Sequence, residues 1–359
     1  MAYLALSTAN LPNPVIDPAQ GASPEDHFNT VLWTGDGTSG RSITTGHQPD
    51  FVWTKERNSA INHIAQNSIS GTGLYLHPNT TAAEQSATTL ITSFDSDGFT
   101  VGNSGSINGS SDTYVAWSWK ANGSGVTNTD GSITSTVSAN TDAGFSIVGY
   151  TGTQSAATVG HGLSSAPEMI ITKCRSIANG WPVYHKDIPN ANQYMIRLND
   201  NQTYTTAGQS AIWWNNTFPT STVFSLGAND ESNKSGGTHI AYCFHSVDGF
   251  SKFGSYKGNG SANGPFVYTG FRPSFVIIKN ANFAEIWPMF DDKRDADNQV
   301  ENPVYANLSS AEGTASSRGL DFLSNGFKIR GTDTSVNRSG DTHIYMAFAE
   351  NPFKYSNAR

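Results

Sequence analysis

Pro49-Asp50-Phe51-Val52-Trp53-Thr54-Lys55, Pro167-Glu168-Met169-Ile170-Ile171-Thr172-Lys173 and Pro273-Ser274-Phe275-Val276-Ile277-Ile278-Lys279 are three versions of one phrase. Each opens on proline and a polar residue, continues through β-branched, aromatic or other apolar residues and ends on lysine. The prolines stand 118 and 106 residues apart. The runs are apolar almost without a break, which suits a strand covered on both faces and not an amphipathic helix. Each phrase follows an aromatic-rich run that closes on glycine: Phe28 to Gly35, Phe145 to Gly152 and Phe250 to Gly258. Downstream lie Gly98-Phe99-Thr100-Val101, Val223-Phe224-Ser225-Leu226 and Gly326-Phe327-Lys328-Ile329. Last come Asp112-Thr113-Tyr114-Val115-Ala116-Trp117, Gly237-Thr238-His239-Ile240-Ala241-Tyr242 and Asp341-Thr342-His343-Ile344-Tyr345-Met346. From proline to this threonine is 64, 71 and 69 residues. Four landmarks in one order, three times over, predict three tandem modules of ordinary domain size.

The short runs, bounded by Gly, Asn, Asp and Ser, predict an all-β fold of three tandem β-sandwich modules, jelly-roll or lectin-like. The expected boundaries are module 1 over 28–120, module 2 over 145–249 and module 3 over 250–359 with a short C-terminal tail. Single helical turns are expected at Thr81 to Ala87 and at Ser309 to Glu312. Residues 121–144, nearly all Gly, Ser, Thr, Asn and Asp, read as a flexible linker or a polar strand pair. Residues 1–27 carry Pro12, Pro14, Pro18 and Pro24 and scattered apolar residues without a period. They predict an extended arm that becomes ordered only against another component.

Of 359 residues only 14% are charged, and 8 Trp, 13 Tyr and 19 Phe supply a large area to bury, which argues against disorder. The net charge of -8 without a basic stripe argues against nucleic-acid binding. No apolar stretch approaches the roughly 20 residues of a membrane span. The N-terminus lacks the basic and apolar regions of a signal peptide, so synthesis in the cytoplasm and release by lysis are expected. Cys174 and Cys243 sit in apolar runs and read as buried thiols.

No sequence pattern for catalysis or metal binding stands out: there is no HExxH, no GxSxG and no CxxC, and no cofactor is expected. Asp95-Ser96-Asp97-Gly98 opens like a calcium loop, lacks the rest of it, and reads as a hairpin turn. The charge cluster from Asp291 to Asp297 reads as a solvated loop. His239 and His343 stand where module 1 has Tyr114, which predicts a packing role. Trp181 and Trp287 are equivalent and read as framework. The loop Tyr204 to Phe218 has no counterpart in the other modules. Its Tyr204, Trp213, Trp214, Asn215 and Asn216 are the candidate binding residues, since aromatic faces stack on sugar C–H groups while amides bond hydroxyls. The competing reading makes these tryptophans a plug between modules.

Several stretches carry a family resemblance. They are Asn128-Thr129-Asp130-Gly131-Ser132-Ile133-Thr134-Ser135-Thr136-Val137-Ser138-Ala139-Asn140, Thr158-Val159-Gly160-His161-Gly162-Leu163, Phe253-Gly254-Ser255-Tyr256-Lys257-Gly258-Asn259-Gly260 and Ile344-Tyr345-Met346-Ala347-Phe348-Ala349-Glu350-Asn351-Pro352-Phe353. The chain resembles repeat-containing tail-fibre and virion structural proteins of marine bacteriophages that carry a domain of unknown function. The resemblance implies a non-enzymatic virion protein of the phage tail, a tail fibre or receptor-binding protein that adheres to the host surface. Its expected partners are other tail proteins, through residues 1–27, and a host surface glycan or receptor. A homotrimer is expected, with the modules at successive stations along a shaft because their middle segments differ in length. A polysaccharide depolymerase tailspike and a capsid decoration protein are the alternatives.

Overall fold

The proline-led phrases are strands buried on both sides, and the reason is architectural. In a computed structural model that describes residues 11–204 and 213–356, Phe51–Glu56, Met169–Cys174 and Phe271–Asn280 lie inside the main sheet of their modules, with every residue buried. Successive side chains of a strand point to opposite faces. Val52 therefore joins the core of module 1 while Phe51 and Trp53 join a core shared by all three modules. Val276 and Ile278 face module 3, and Phe275 and Ile277 face the shared core.

Each module repeats one topology. The main sheet of module 1 runs in the order Phe28–Thr34, Thr113–Trp119, Phe51–Glu56, Ile64–Asn67. Module 2 has Phe145–Thr151, Thr238–Phe244, Met169–Cys174 and Pro182–His185. Module 3 has Ser251–Lys257, Thr342–Pro352, Phe271–Asn280 and Pro288–Asp291. A smaller second sheet covers each: Arg41–Thr44, Gly98–Val101 and Ile91–Asp95; Ala157–Gly160 and Val223–Leu226; Phe266–Tyr268, Gly326–Ile329 and Leu320–Leu323. Neighbouring strands are antiparallel throughout. The fold is all-β and sandwich-like, and the repeat read from the sequence is a repeat of strand order.

The fine structure repeats as well. Trp33, Tyr150 and Tyr256 occupy one position and bond the carbonyls of Ile107, Ser232 and Val336. Their rings stack on Tyr114, His239 and His343, with centroids 5.2, 5.0 and 5.1 Å apart. The histidines thus do the packing expected of them. Asn108, Asn233 and Asn337 each end a one-turn helix and bond the carbonyls of Gly102, Gly227 and Gly331. Gly35, Gly152 and Gly258 are glycines for lack of room, because a Cβ would stand 2.1 to 2.3 Å from a facing carbonyl oxygen.

The modules do not line up along a shaft. They close around a common aromatic core in which Phe28 stacks on Phe348 at 4.6 Å, Phe51 on Tyr242 at 4.2 Å, and Phe244 meets Phe348 at 6.3 Å. Each module passes the same contact to the next. Glu84 N donates to Arg175 O, Tyr204 N to Ala281 O and Glu312 N to Arg57 O, which links module 1 to 2, 2 to 3 and 3 to 1. Trp181 Nε1 donates to Thr80 O, Trp287 Nε1 to Arg197 O and His63 Nε2 to Leu308 O at the same three seams. The His63 tautomer follows, since its Nδ1 accepts from Trp53 Nε1 at 2.9 Å. One chain is therefore a closed ring with pseudo-threefold order. The differing middle segments that suggested stations along a shaft are the loops that build the seams.

Three further expectations change. Residues 121–144 are the polar strand pair and not a linker. Val126–Asn128 pairs with Ser135–Asn140, which pairs with Phe145–Thr151 and widens the sheet of module 2. Residues 11–27 are not a free arm. Ile16, 2% exposed, enters the shared core. Asp17 accepts from Tyr355 Oη at 2.6 Å, and Lys354 Nζ reaches Leu11 O at 3.0 Å. Residues 1–10 of the expected arm lie outside the described residues. The helical turns are absent: Gln85–Ser86 is a short strand against Leu74–Tyr75, and residues 309–312 are irregular.

Candidate functional site

The unmatched loop from Tyr204 to Phe218 is described at Tyr204 and from Trp213 onward; residues 205–212 lie outside the described residues. Trp213 and Trp214 are 3% and 2% exposed. Trp214 Nε1 donates to Tyr194 O at 2.9 Å, and its ring meets Tyr184 edge-on at 5.8 Å. The Arg197 guanidinium lies 5.7 Å from the Trp213 ring. Asn215 and Asn216 form a turn with φ of 50° and 53°, a conformation asparagine tolerates. Their carbonyls accept from Thr217 Oγ1 and Asn192 Nδ2. The expected sugar platform is thus not present at the tryptophans, because both indoles are interior groups of module 2. Tyr204 stacks on Tyr194 at 5.7 Å and supplies the seam to module 3.

The charge cluster is also structural. Asp291 is buried, pairs with Arg294 at 2.6 Å and accepts from Trp117 Nε1 of module 1 at 3.2 Å. Asp295 caps the backbone of Glu301 and Asn302. Arg294 continues to Glu312, which holds Arg57 in a two-pronged bond at 2.8 and 2.9 Å. Asp291 and Arg294 thus belong to a seam, while Lys293, Ala296 and Asp297 are exposed, as expected of a solvated loop. Arg175 and Glu84 make the same two-pronged bond at the seam between modules 1 and 2. At the third seam Ala281 and Tyr204 stand in the equivalent places.

The repeat lysines end inside the protein. Lys55 Nζ donates to Ser59 O, Lys173 Nζ to Thr81 O and Lys279 Nζ to Asn201 O, the last two across seams. Burial pushes the ammonium groups of Lys55 and Lys173 down to about 8 and that of Lys279 to about 7. Burial likewise pushes His47, His161, His185 and His239 down to about 4 and His63 to about 3. Asp292 is pushed up to about 7 by burial. Asp95 accepts from Ser93 and Thr100 in the hairpin expected there. Among the described residues no group of three or more His, Cys, Asp and Glu is placed to hold a metal. Cys174 and Cys243 are buried and unpaired with each other.

One cleft, of about 360 Å³, lies where the sheet of module 2 meets module 1. Thr127 pairs with Thr136, which pairs with Gly149; Thr151 pairs with Thr238. Thr134 lies two residues from Thr136 and shares its face. Five threonines thus spread over one sheet face around Gly149. Ile69 of module 1 and Arg175 line it as well. Ile69 packs over Gly149, where a Cβ would approach Ile69 Cγ2 to 3.1 Å. Sequence reasoning missed this site because it depends on where residues 126–140 dock. The alternation Thr134-Ser135-Thr136 was its one local sign.

The chain belongs to the family defined by a domain of unknown function, DUF7483, whose model matches residues 23–352. Comparison with curated proteins gives no match.

Proposed function

We propose that this chain is a structural protein of a bacteriophage virion, a tail-fibre or receptor-binding protein that adheres to the host surface and has no enzymatic role. The observation that carries the reading is the closed ring of three sandwich modules. Its most perturbed acids and bases are tied into seams and cores, as suits a rigid frame that displays surface loops and clefts. Attachment to other tail proteins belongs to the same reading and uses the side of the ring where residues 11–27 pack, with Val15 65% exposed. A homotrimer also belongs to it, and must use surfaces other than the seams, which the chain closes on itself. The pseudo-threefold ring favours a second reading, capsid decoration, since a threefold-like unit matches threefold positions of a lattice.

Immunogold labelling of purified particles separates these. Label at the tail, together with slower host adsorption in the presence of free protein, supports the adhesion reading. Label spread over the head supports decoration. Particles without label overturn both. Release of reducing sugar from host glycan would transfer the protein to the depolymerase class.

A further inference from the structure

We propose that the threonine-lined cleft of module 2 binds a saccharide, an uncharged stretch of host surface glycan; this rests on the adhesion reading and gives it a site. The first argument is chemical. A threonine hydroxyl both donates and accepts, which is what a sugar hydroxyl requires of its partner. Thr127, Thr134, Thr136, Thr151 and Thr238 line the cleft, and none of their hydroxyls bonds another described group of the chain. The sheet spaces them about 4.8 Å apart across strands and about 7 Å apart along them, a mesh of sugar-ring size. The Ile69 methyls, seated against Gly149, offer apolar surface for sugar C–H groups.

The second argument is electrostatic. Arg175 spends Nε and Nη2 on Glu84, so its charge is compensated and the cleft has no net pull on an anion. Among the described residues no carboxylate lines the cleft. Hydrolysis of a glycosidic bond ordinarily needs two, so this is a site for holding a glycan and not for cutting it. The third argument is the broken repeat. Leu32 and Ser255 stand where module 2 has Gly149, and among the described residues only module 2 has the strand pair at 126–140 beside it. A feature that the frame does not need in its other two copies is a candidate for function.

The test uses the full chain on an array of neutral and uronic-acid oligosaccharides, on immobilised host lipopolysaccharide and on host cells. Thr134→Val, Thr136→Val and Thr151→Val combined keep the β-branched shape and remove three hydroxyls. The combination is expected to weaken binding to neutral oligosaccharides and lipopolysaccharide at least tenfold. The corresponding threonine-to-serine variant is expected to bind as the parent does. Both sets are checked for an unchanged melting midpoint. Binding unaffected in the valine variants overturns the cleft and leaves adhesion standing. Binding to cells but to no glycan, or to uronic-acid sugars alone, overturns the ligand class. A parent protein that binds neither glycans nor cells overturns the adhesion reading as well.

Discussion

Lys55, Lys173 and Lys279 carry charge into the interior and leave a measurable trace in the pH dependence of stability. Their folded pKa values of about 8, 8 and 7 lie below the 10.5 of a free lysine. Between those limits the unfolded chain binds more protons, so stability rises with pH. The buried histidines act in the same direction lower down. Their folded values of about 4, and about 3 for His63, lie below 6.5, so stability falls as pH drops from 6.5 toward 4. Asp292, held up to about 7, opposes the histidines, since its contribution to stability falls as pH rises from about 4 to 7. Urea unfolding should therefore give a higher midpoint at pH 9 than at pH 7 and a lower one at pH 5. Lys279→Met should flatten the rise from pH 7 to 9. Trp214→Ala removes a fully interior indole and its bond to Tyr194, and should cost about 3–5 kcal/mol by the same unfolding assay. The sequence marked these lysines as strand ends and these tryptophans as exceptional. It held no sign of which way they point, because their burial depends on partners outside their own strands, Thr81 and Asn201 for Lys173 and Lys279 and Tyr184 and Tyr194 for Trp214.

Strands were more legible than the segments between them. An apolar run with turn residues at both ends carries its own period, and the proline-led phrases and closing threonine runs read directly as strands. The proline-rich segment at 11–27 has no period, so its docking was invisible. What fixes it is Ile16 in the shared core and the bonds of Asp17 to Tyr355 and of Leu11 to Lys354. Deleting residues 1–27 should therefore destabilise the ring instead of leaving it intact. The expected outcome is a melting midpoint lowered by several degrees with increased binding of a hydrophobic dye. An unchanged midpoint would show that Ile16 contributes nothing. The strand pair at 126–140 was half legible: Val137 and Ile133 alternate with polar residues as a strand covered on one face should, yet the choice between strand pair and linker needed the neighbouring sheet edge.

Three modules and their shared topology follow from the repeat, while the closure of the ring lies in contacts that no single module contains. The seams are made by loops of unequal length, and unequal length was the very reason to expect a linear array. A core built from Phe28, Phe51, Trp119, Phe145, Phe244, Phe275 and Phe348 belongs to none of the modules alone. The bond between Lys354 Nζ and Leu11 O brings the two described ends of the chain within 3.0 Å of each other at side-chain reach. With its two described ends adjacent and the same backbone contact repeated at each seam, the ring does not depend on where the chain is cut. The order in which the gene writes the modules is then a matter of convenience for the ribosome and not of geometry. A circularly permuted chain that starts at exposed Ser124, runs through modules 2 and 3, crosses a short linker from Ser356 to Leu11 and finishes with module 1 should fold to the same ring and melt in one transition near that of the parent.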